Sequence, residues 1–548
     1  MIKEIIKKLC RSYDELLNKK RGMLVIWLCV AVLFGYAKFF TPVFREGSNE
    51  GSYLNLLIGF LLFCSITILL YLLQVYFNVE RQDNISKSNF YAGYFLLFIG
   101  ILFIGSVYLV VFYPGAGMYD TIAILTSQGT KSMNQHPWFY VLFVQRVVEI
   151  IFKLGGGYEA ALVSLSILQI VMTAAVYSYC LMWLYIKKIN KYIWILIAGI
   201  YMWCPFLDLM MVNIFKDIPF SLLILMWIPF LYDFWASKGE NLKKLSTLVR
   251  VCLFILLSLV RNNGVYVSAF LIFMMFVMYP SKWKQYIVLT CMLIAVVAGS
   301  HEYEKKNEIT HLYKETVGIP LQQIAGVVYY DGKMEEKERR FVEQLIPSSY
   351  IKEKFSPYSA DKLKWGGAPL DDGFLNANKK EFLRTWMVLL PSNFKIYINV
   401  YLKNTYGFWS LDNGENNQLY TSIYTTAWKD WFEKENITIK KKITKSWQES
   451  IESFIVPKTR MPGSGIAFWA FIMILIVFGM KEGKKALIVG SPIIGNWITI
   501  MISTPVAYQW RYVLCIAMAL PLVFGMLFVP TKKEISYNDD LQGCRRPK

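Results

Sequence analysis

The chain has 548 residues, of which 55% are hydrophobic and 16% aromatic, and its mean hydropathy is +0.38. The apolar residues fall in repeated blocks close to the ~20 residues that cross a bilayer, which excludes an ordinary soluble protein. The net charge of +19 gathers in short connections between these blocks. It therefore reflects membrane topology and attraction to anionic lipid, and nucleic acid is not expected as a partner.

The apolar blocks predict an all-α polytopic membrane protein with about twelve transmembrane helices. The predicted spans are Met23–Phe40, Tyr53–Phe77, Phe90–Phe112, Tyr158–Ile186, Tyr192–Val212, Ile218–Ala236, Ser246–Val260, Gly264–Tyr279, Tyr286–Ser300, Ile466–Met480, Ala486–Ser503 and Tyr512–Pro530. A membrane module therefore covers residues 23–300, and three more helices cover residues 466–530.

Lysine and arginine in short loops predict the orientation of the spans, because they resist translocation more than acidic residues do. They occupy every second connection, at Lys7, Lys8, Arg11, Lys19, Lys20 and Arg21, then Lys187, Lys188 and Lys191, Lys238, Lys243 and Lys244, Lys282 and Lys284, Lys481, Lys484 and Lys485, and finally Lys532, Lys533, Arg545 and Arg546. We therefore expect residues 1–22 and the tail 531–548 to be cytoplasmic.

The apolar stretch Trp138–Leu154 breaks this alternation if it is counted as a span. Its polar residues, among them Gln145, Arg146 and Glu149, fall at helical spacing along one side, which is typical of an amphipathic helix at the membrane interface. Residues 113–157 then form one external loop, which carries the first candidate site.

Residues 301–465 carry charges of both signs and predict a mixed soluble extracellular domain inserted before the last three helices. Turn signals occur at residues 366–367 and 413–414, and helices are predicted around Glu335–Leu345 and Glu381–Leu402, the second being amphipathic and membrane-associated. None of the nine cysteines lies in this domain. An external disulfide framework is therefore excluded, which favours a bacterial cell membrane.

The first chemical motif, residues 113–121 (YPGAGMYDT), directly follows the third span. A turn rich in proline and glycine can hold Asp120 in a partly desolvated cleft, where the carboxylate can accept a proton from a substrate hydroxyl. Asp120 could instead cap the short helix that follows, since aspartate is a favoured N-cap residue.

His136 enters the amphipathic segment within residues 134–137 (NQHP). Its imidazole could donate to a phosphate, or it could order the loop by binding a backbone carbonyl.

Lys216 and Asp217 lie in a very short external turn between two spans, where charges commonly mark substrate paths. Lys216 could bind a phosphate. Asp217 could hold an acceptor hydroxyl or a divalent cation such as Mg or Mn, for which Asp120 is the other candidate ligand. Alternatively the two residues form a local pair and Asp217 caps the next helix.

Arg261, Asn262 and Asn263 form the next external turn. The positive-inside rule disfavours an arginine there, so Arg261 suggests a guanidinium that binds phosphate in a bidentate manner. Snorkelling towards lipid headgroups is the alternative. Gln509 and Arg511 repeat the pattern at the outer start of the last span, where anchoring by an aromatic belt is the alternative.

Together these motifs predict one or two carboxylates that face several cations at the outer mouth of a helix bundle. Glycosyl transfer from a lipid phosphate needs this arrangement, because phosphate leaves readily once its charge is neutralised and one carboxylate can serve as the base.

The order of these motifs resembles the GT-C superfamily of integral-membrane glycosyltransferases over most of the chain. Residues 319–323 (IPLQQ) and Arg511-Tyr512 also look like a Firmicute-type bacterial branch of that superfamily. The resemblance implies inverting transfer from a polyprenyl-phosphate sugar to a cell-surface glycan, lipid or protein. It further implies that Asp120 is the base, and that Asp217, Arg261 and His136 help to bind donor and acceptor.

Two other functions remain open. A flippase or transporter of lipid-linked glycans tends to show repeated halves and buried charges near the midplane, whereas the polar motifs here gather on one side. A polysaccharide polymerase or ligase uses the same lipid-phosphate chemistry with a lipid-linked glycan as donor, and only the resemblance separates it.

Overall fold

The computed structural model describes residues 20–45, 51–77, 87–117, 119–126, 136–240, 247–310, 312–412, 430–434, 437, 444–455, 461–504 and 506–530. Within these ranges, eight helices are long and apolar enough to cross a membrane, and a bent helix pair adds a ninth crossing if it is one span. Three shorter apolar helices accompany them. The protein is thus an all-α polytopic membrane protein, while the count of twelve spans stays a prediction.

The elements of the first half follow the predicted spans closely. In chain order they are α1 (Arg21–Phe44), α2 (Tyr53–Phe77), α3 (Lys87–Val111), β1 (Ala116–Gly117), α4 (Tyr119–Thr126), α5 (Trp138–Lys153), α6 (Tyr158–Ile186), α7 (Lys191–Trp203), α8 (Pro205–Met211), β2 (Asn213–Ile214), α9 (Asp217–Ala236), α10 (Thr247–Val260), α11 (Gly264–Met278) and α12 (Trp283–Lys306). A 3-10 turn, Pro280–Lys282, precedes α12.

The predicted span Tyr192–Val212 is two helices rather than one. The axes of α7 and α8 differ by 52°, and the chain leaves helical geometry at Cys204. Pro205 stands at the first position of α8, where its missing amide hydrogen does not matter, but it cannot extend the hydrogen-bond ladder of α7. Pro205 thus begins a new helix, α8, instead of extending α7.

The helix predicted at Trp138–Leu154 is confirmed as α5. Tyr140, Val144 and Val148 on one side are buried in a cluster shared with α4 and α6. On the other side Arg146 and Glu149 form an exposed ion pair at 2.6 Å. The amphipathic pattern of α5 is thus used to pack the 113–157 loop onto the bundle.

The elements of the second half begin with the soluble segment and end with the last membrane helices. They are α13 (Tyr313–Thr316), α14 (Gly318–Tyr329), α15 (Glu336–Leu345), α16 (Ser348–Lys354), α17 (Asp361–Lys364), α18 (Asp372–Ala377), α19 (Lys379–Ser392), α20 (Phe394–Asn404), a 3-10 turn at Tyr406–Phe408, α21 (Lys445–Ile455), α22 (Ser464–Glu482), a 3-10 turn at Lys484–Gly490, α23 (Ser491–Ser503), a 3-10 turn at Trp510–Val513 and α24 (Leu514–Met526).

The soluble segment was predicted to be mixed, but its elements between residues 312 and 412 are helices around their own apolar core. The predicted helix Glu381–Leu402 is broken at Asn393, whose side-chain amide exchanges two 2.8 Å hydrogen bonds with the backbone of Lys333. The turn predicted at Gly366 and Gly367 is confirmed by positive φ angles of 70° and 85°. The turn predicted at residues 413–414 lies outside the described residues.

An extended connection fastens the soluble segment to the membrane part. Ser359 forms an isolated antiparallel bridge with Val506, and Ala507 N donates to Tyr358 O at 2.9 Å. This contact places α17 beside the 3-10 turn that opens the last membrane helix.

Two lysines of the short connections lie at helix ends that come together on one side of the bundle. Lys187 Nζ binds Asp233 at 2.7 Å where α6 and α9 end, and Lys481 Nζ donates to Leu527 O at 2.9 Å where α22 and α24 end. The candidate motifs lie in connections at the other end of the membrane helices. The described residues of 301–465, the soluble segment, are also at that end. The orientation of the bundle in a membrane stays a prediction from the charge pattern.

Candidate functional site

A two-stranded parallel sheet brings the first two chemical motifs together. In it β1 pairs with β2, with Ala116 opposite Asn213 and Gly117 opposite Ile214. Thr121 Oγ1 donates to Ile214 O, which ties the start of α4 to the same turn. The loop that bears Asp120 therefore lies against the turn that bears Lys216 and Asp217.

A close backbone approach requires glycine at residue 115. Its φ is +128°, and a Cβ there would lie 2.2 Å from Ser166 Oγ on α6. From the same helix, Gln169 Nε2 lies within hydrogen-bond distance of three backbone carbonyl oxygens, including Asn213 O at 2.8 Å. Thus α6 positions both the loop and the turn.

Arg511 connects the last membrane helix to the first loop. Its Nη1 donates to Asp120 Oδ2 at 2.7 Å, and its Nη2 donates to Tyr512 Oη at 3.0 Å. The carboxylate of Asp120 is thus paired with a guanidinium 391 residues away in the chain.

Lys216 and Asp217 each bind a partner from another element instead of each other. Lys216 Nζ lies 2.8 Å from His136 Nδ1, and Arg261 Nε lies 3.0 Å from Asp217 Oδ1. The local Lys–Asp pair is therefore not formed.

Arg261 is buried between two aromatic rings. Its guanidinium carbon lies 5.4 Å from the centroids of both Phe220 and Tyr512, and its Nη1 donates to Tyr512 O at 3.3 Å. The same carbonyl accepts from Asn496 Nδ2 at 2.9 Å. Tyr512 thus contacts Arg261 through its carbonyl and Arg511 through its hydroxyl.

Six of the nine candidate residues from the sequence lie together, and we call them the charged cluster: Asp120, His136, Lys216, Asp217, Arg261 and Arg511. The other three are placed differently. Asn263 donates to the side chains of Asn496 and Thr499, Gln509 accepts from Tyr512 N through its backbone carbonyl, and Asn262 is exposed.

The charged cluster has an inner and an outer ion pair. In the inner pair the side chains of Asp217 and Arg261 are 3% and 9% exposed, whereas in the outer pair those of Asp120 and Arg511 are 28% and 17% exposed. Lys216 interacts electrostatically with both pairs. The outer pair is therefore the more exposed of the two, and the inner pair is buried.

The charged cluster contains more positive than negative charge. Its cations are Lys216, Arg261 and Arg511, and its carboxylates are Asp120 and Asp217. Burial by itself would raise the pKa of Asp120, but Arg511 and Lys216 outweigh it and hold this pKa well below its usual range. Burial lowers the pKa of Lys216, and the carboxylates of Asp120 and Asp217 oppose this. Asp361 on α17 also interacts with Arg511. With Lys216 protonated, the six residues of the charged cluster carry one excess positive charge, which suits an anionic ligand.

His136 is neutral at physiological pH. Burial and the adjacent Lys216 ammonium lower the pKa of His136 from 6.5 to about 3. Since an ammonium can only donate, Nδ1 accepts from Lys216 and the proton lies on Nε2. This Nε2 is buried and has no hydrogen-bond partner among the described residues. It is a donor available to a ligand.

Both carboxylates that could hold a divalent cation contact a guanidinium. Among the residues that the structure describes, no group of three or more histidine, cysteine, aspartate or glutamate side chains is arranged to bind a metal ion. A cation that bound Asp120 would therefore compete with Arg511 for the same oxygen atoms.

Sequence reasoning missed the polar residues that hold the charged cluster in place. Asn496 and Gln169 are fully or almost fully buried inside apolar helices, and Thr121 follows Asp120 directly. A polar side chain within a span was the available signal for the first two, since such residues usually bond to neighbouring helices. Their partners could not be read from the sequence.

A protein-family model, described as a family of unknown function (DUF6020), matches residues 123–540. The matched stretch begins just after Asp120 and contains the other five residues of the charged cluster. No curated protein and no solved structure matches the chain. A function can therefore be inferred only from the charged cluster itself.

Proposed function

The chain belongs to the DUF6020 family, whose function is unknown, and we propose from its charged cluster that it is a membrane glycosyltransferase of the GT-C type. It would transfer a sugar from a polyprenyl-phosphate donor to a glycan, lipid or protein at the cell surface. The observation that carries this proposal is the outer pair, in which a reachable carboxylate lies next to an excess of cations.

The proposed reaction is one displacement with inversion. The acceptor hydroxyl oxygen forms a bond to the anomeric carbon while the bond between that carbon and the phosphate oxygen breaks. The phosphate leaves with the electron pair as polyprenyl phosphate, and Asp120 takes the hydroxyl proton. The negative charge that grows on the departing phosphate is what the cations stabilise.

Arg511, Lys216 and His136 are the groups proposed to bind the donor phosphate. A guanidinium binds phosphate through two parallel hydrogen bonds, an ammonium adds a point charge, and the free Nε2 proton of His136 adds a neutral donor. Arg261 acts from beneath, because its side chain is buried against Asp217. It raises the local positive potential and positions Tyr512.

Donor binding would also activate the base. In the free protein Asp120 is a weak base, since Arg511 holds its pKa below the usual range. A donor phosphate competes with Asp120 for the same guanidinium, and each hydrogen bond it takes raises the pKa of Asp120. The carboxylate thus becomes a better proton acceptor only when the donor is present.

The charged cluster is proposed to face outward in a bacterial plasma membrane. The lysines at the other end of the bundle support this orientation through the positive-inside rule. The bent pair of α7 and α8 and the three shorter apolar helices support a total of twelve spans. The soluble segment is then extracellular and lies beside the charged cluster, where an acceptor would arrive.

The test is transfer of radiolabelled sugar from polyprenyl-phosphate donors by the purified protein in lipid. We expect Asp120→Asn to abolish transfer while thermal stability stays near that of wild type. Asp233→Asn is the matched control, because it removes a carboxylate from an ion pair at the opposite end of the bundle and should leave transfer intact. Equal loss in both variants, or a folding defect in Asp120→Asn, would contradict the proposal.

One observation favours the flippase as a second candidate. Asp208 lies in the bent helix pair and is 2% exposed, and its Oδ1 has no hydrogen-bond partner among the described residues. Broken helices and buried ionisable side chains are features of transporters. Movement of lipid-linked glycan across the bilayer that is lost in Asp208→Asn, without sugar transfer by wild type, would select this function. Turnover with lipid-linked glycans as the only effective donors would select a polymerase or ligase.

A further inference from the structure

A row of large apolar side chains is exposed along α19 and α20, the two helices joined at Asn393. Its members are Leu383, Met387, Val388, Phe394 and Ile398, of which Met387 and Phe394 are 56% and 59% exposed. On the buried side the same helices contribute Phe382, Leu389 and Val400 to the core of the soluble segment. The exposed side chains do not belong to that core, and we call them the apolar row.

The apolar row is anchored to the ends of membrane helices. Tyr401 Oη donates to Met501 O at 3.1 Å, and Asn404 Nδ2 donates to Thr504 O at 2.9 Å. Both carbonyls lie at the end of α23, and α20 also packs against α1. With a rise of 1.5 Å per residue, Phe394 lies within about 15 Å of that anchor.

Charge and composition indicate which partner covers the apolar row. Exposed Lys380 precedes the row and exposed Lys395 lies within it, while Arg384 beside Leu383 is paired with Glu381. Apolar side chains edged by lysine are typical of helices that lie in the interface of an anionic bilayer, where the ammonium groups reach the headgroups and the apolar side chains reach the acyl boundary.

The same arrangement recurs in α21, which packs against the membrane helix α3. Ile451 and Ile455 pack against the apolar core of the helix bundle. Trp447 and Phe454 on the same helix are 68% and 67% exposed. Exposed aromatic rings next to a membrane helix at this end of the bundle mark the level of the lipid headgroups.

We propose that the apolar row of α19 and α20 lies in the outer surface of the bilayer and binds anionic lipid. The soluble segment is then held at the membrane by lipid as well as by its links to α23 and α1. This inference takes only the outward orientation of this end of the bundle from the proposed function, and none of its side chains belongs to the charged cluster.

The test is photo-crosslinking of the full-length protein in nanodiscs of phosphatidylcholine and phosphatidylglycerol. The variants are Phe394→p-benzoylphenylalanine and Met387→p-benzoylphenylalanine. The same replacement at Leu61, exposed on the membrane helix α2, sets the yield expected for lipid contact, and the replacement at Arg340, exposed on α15, sets the background.

We expect lipid adducts at Phe394 and Met387 with a yield close to that at Leu61 and well above that at Arg340. Adducts enriched in phosphatidylglycerol would identify the anionic headgroup as the partner of the lysines. A yield at background, or crosslinks between two copies of the chain in place of lipid adducts, would overturn the proposal. Because both positions are more than half exposed, the replacements leave the core of the fold unchanged.

Discussion

The pH dependence of stability tests the protonation state of His136. Its pKa is lowered from 6.5 to about 3 by burial and by Lys216. Between these two values the unfolded chain binds one more proton than the native protein, because the histidine is charged only in the unfolded state. The free energy of unfolding therefore falls as pH falls through this window.

The size of the effect follows from the two pKa values. A pH of 5 lies ~1.5 units below the pKa of this histidine in the unfolded chain, and each unit corresponds to ~1.4 kcal/mol. At pH 5, His136 therefore lowers the free energy of unfolding by about 2 kcal/mol. At pH 7.5 the contribution is close to zero, since the histidine is neutral in both states. The loss begins near pH 6.5 and continues, at about 1.4 kcal/mol per pH unit, towards pH 3.

The assay is unfolding in mixed micelles, followed by circular dichroism at pH 7.5 and at pH 5. From pH 7.5 to pH 5, the free energy of unfolding should fall by about 2 kcal/mol less in His136→Gln than in wild type. This difference does not depend on the stability of the variant at pH 7.5. His301→Gln removes an exposed histidine at the end of α12 and should behave as wild type. The same acid-induced loss in all three proteins would refute a neutral, buried His136 that accepts from Lys216.

Three further predictions concern the inner pair, the turn before α11 and the base. Arg261→Ala should lower the free energy of unfolding by about 3–5 kcal/mol because it leaves Asp217 buried without its partner, and Arg261→Ala/Asp217→Asn should recover much of this loss in the same unfolding assay. Gly264→Ala should lower the thermal stability, since the added Cβ would lie 1.9 Å from Leu257 O. The control Gly157→Ala should match wild type in thermal unfolding, because no heavy atom lies within 4 Å of its Cβ. If the donor phosphate releases Asp120 from its guanidinium, the acidic limb of the pH profile should lie at higher pH for kcat than for kcat/KM, and coincident limbs would contradict this coupling.

The membrane class, and the presence of the candidate charged residues in connections at one end of the bundle, could be predicted from local sequence. A helix that must cross a bilayer needs about 20 apolar residues, and this requirement is local, so the blocks appear directly in the chain. The positive-inside rule, which concerns lysines in short loops, is also local in sequence. For that reason Lys216, Asp217 and Arg261 could be assigned to one end of the bundle before any contact was known.

The short-range exceptions were harder to predict. The apolar pattern runs through Cys204 without interruption, so hydropathy alone predicts one span where the chain forms α7 and α8. Pro205 was the visible signal, but proline is tolerated within membrane helices when neighbouring helices satisfy the freed carbonyls. Whether the helix breaks is decided by its packing, which hydropathy does not record.

The sequence by itself determined which residues could form a charged site and on which end of the bundle they lie. Only the tertiary structure decided the partners, joining Asp120 to Arg511, Asp217 to Arg261 and Lys216 to His136. Hydrophobic burial depends on the local run of apolar residues and can be read along the chain. Electrostatic pairing depends on the distance between side chains from different helices, and that distance exists only after the helices have packed.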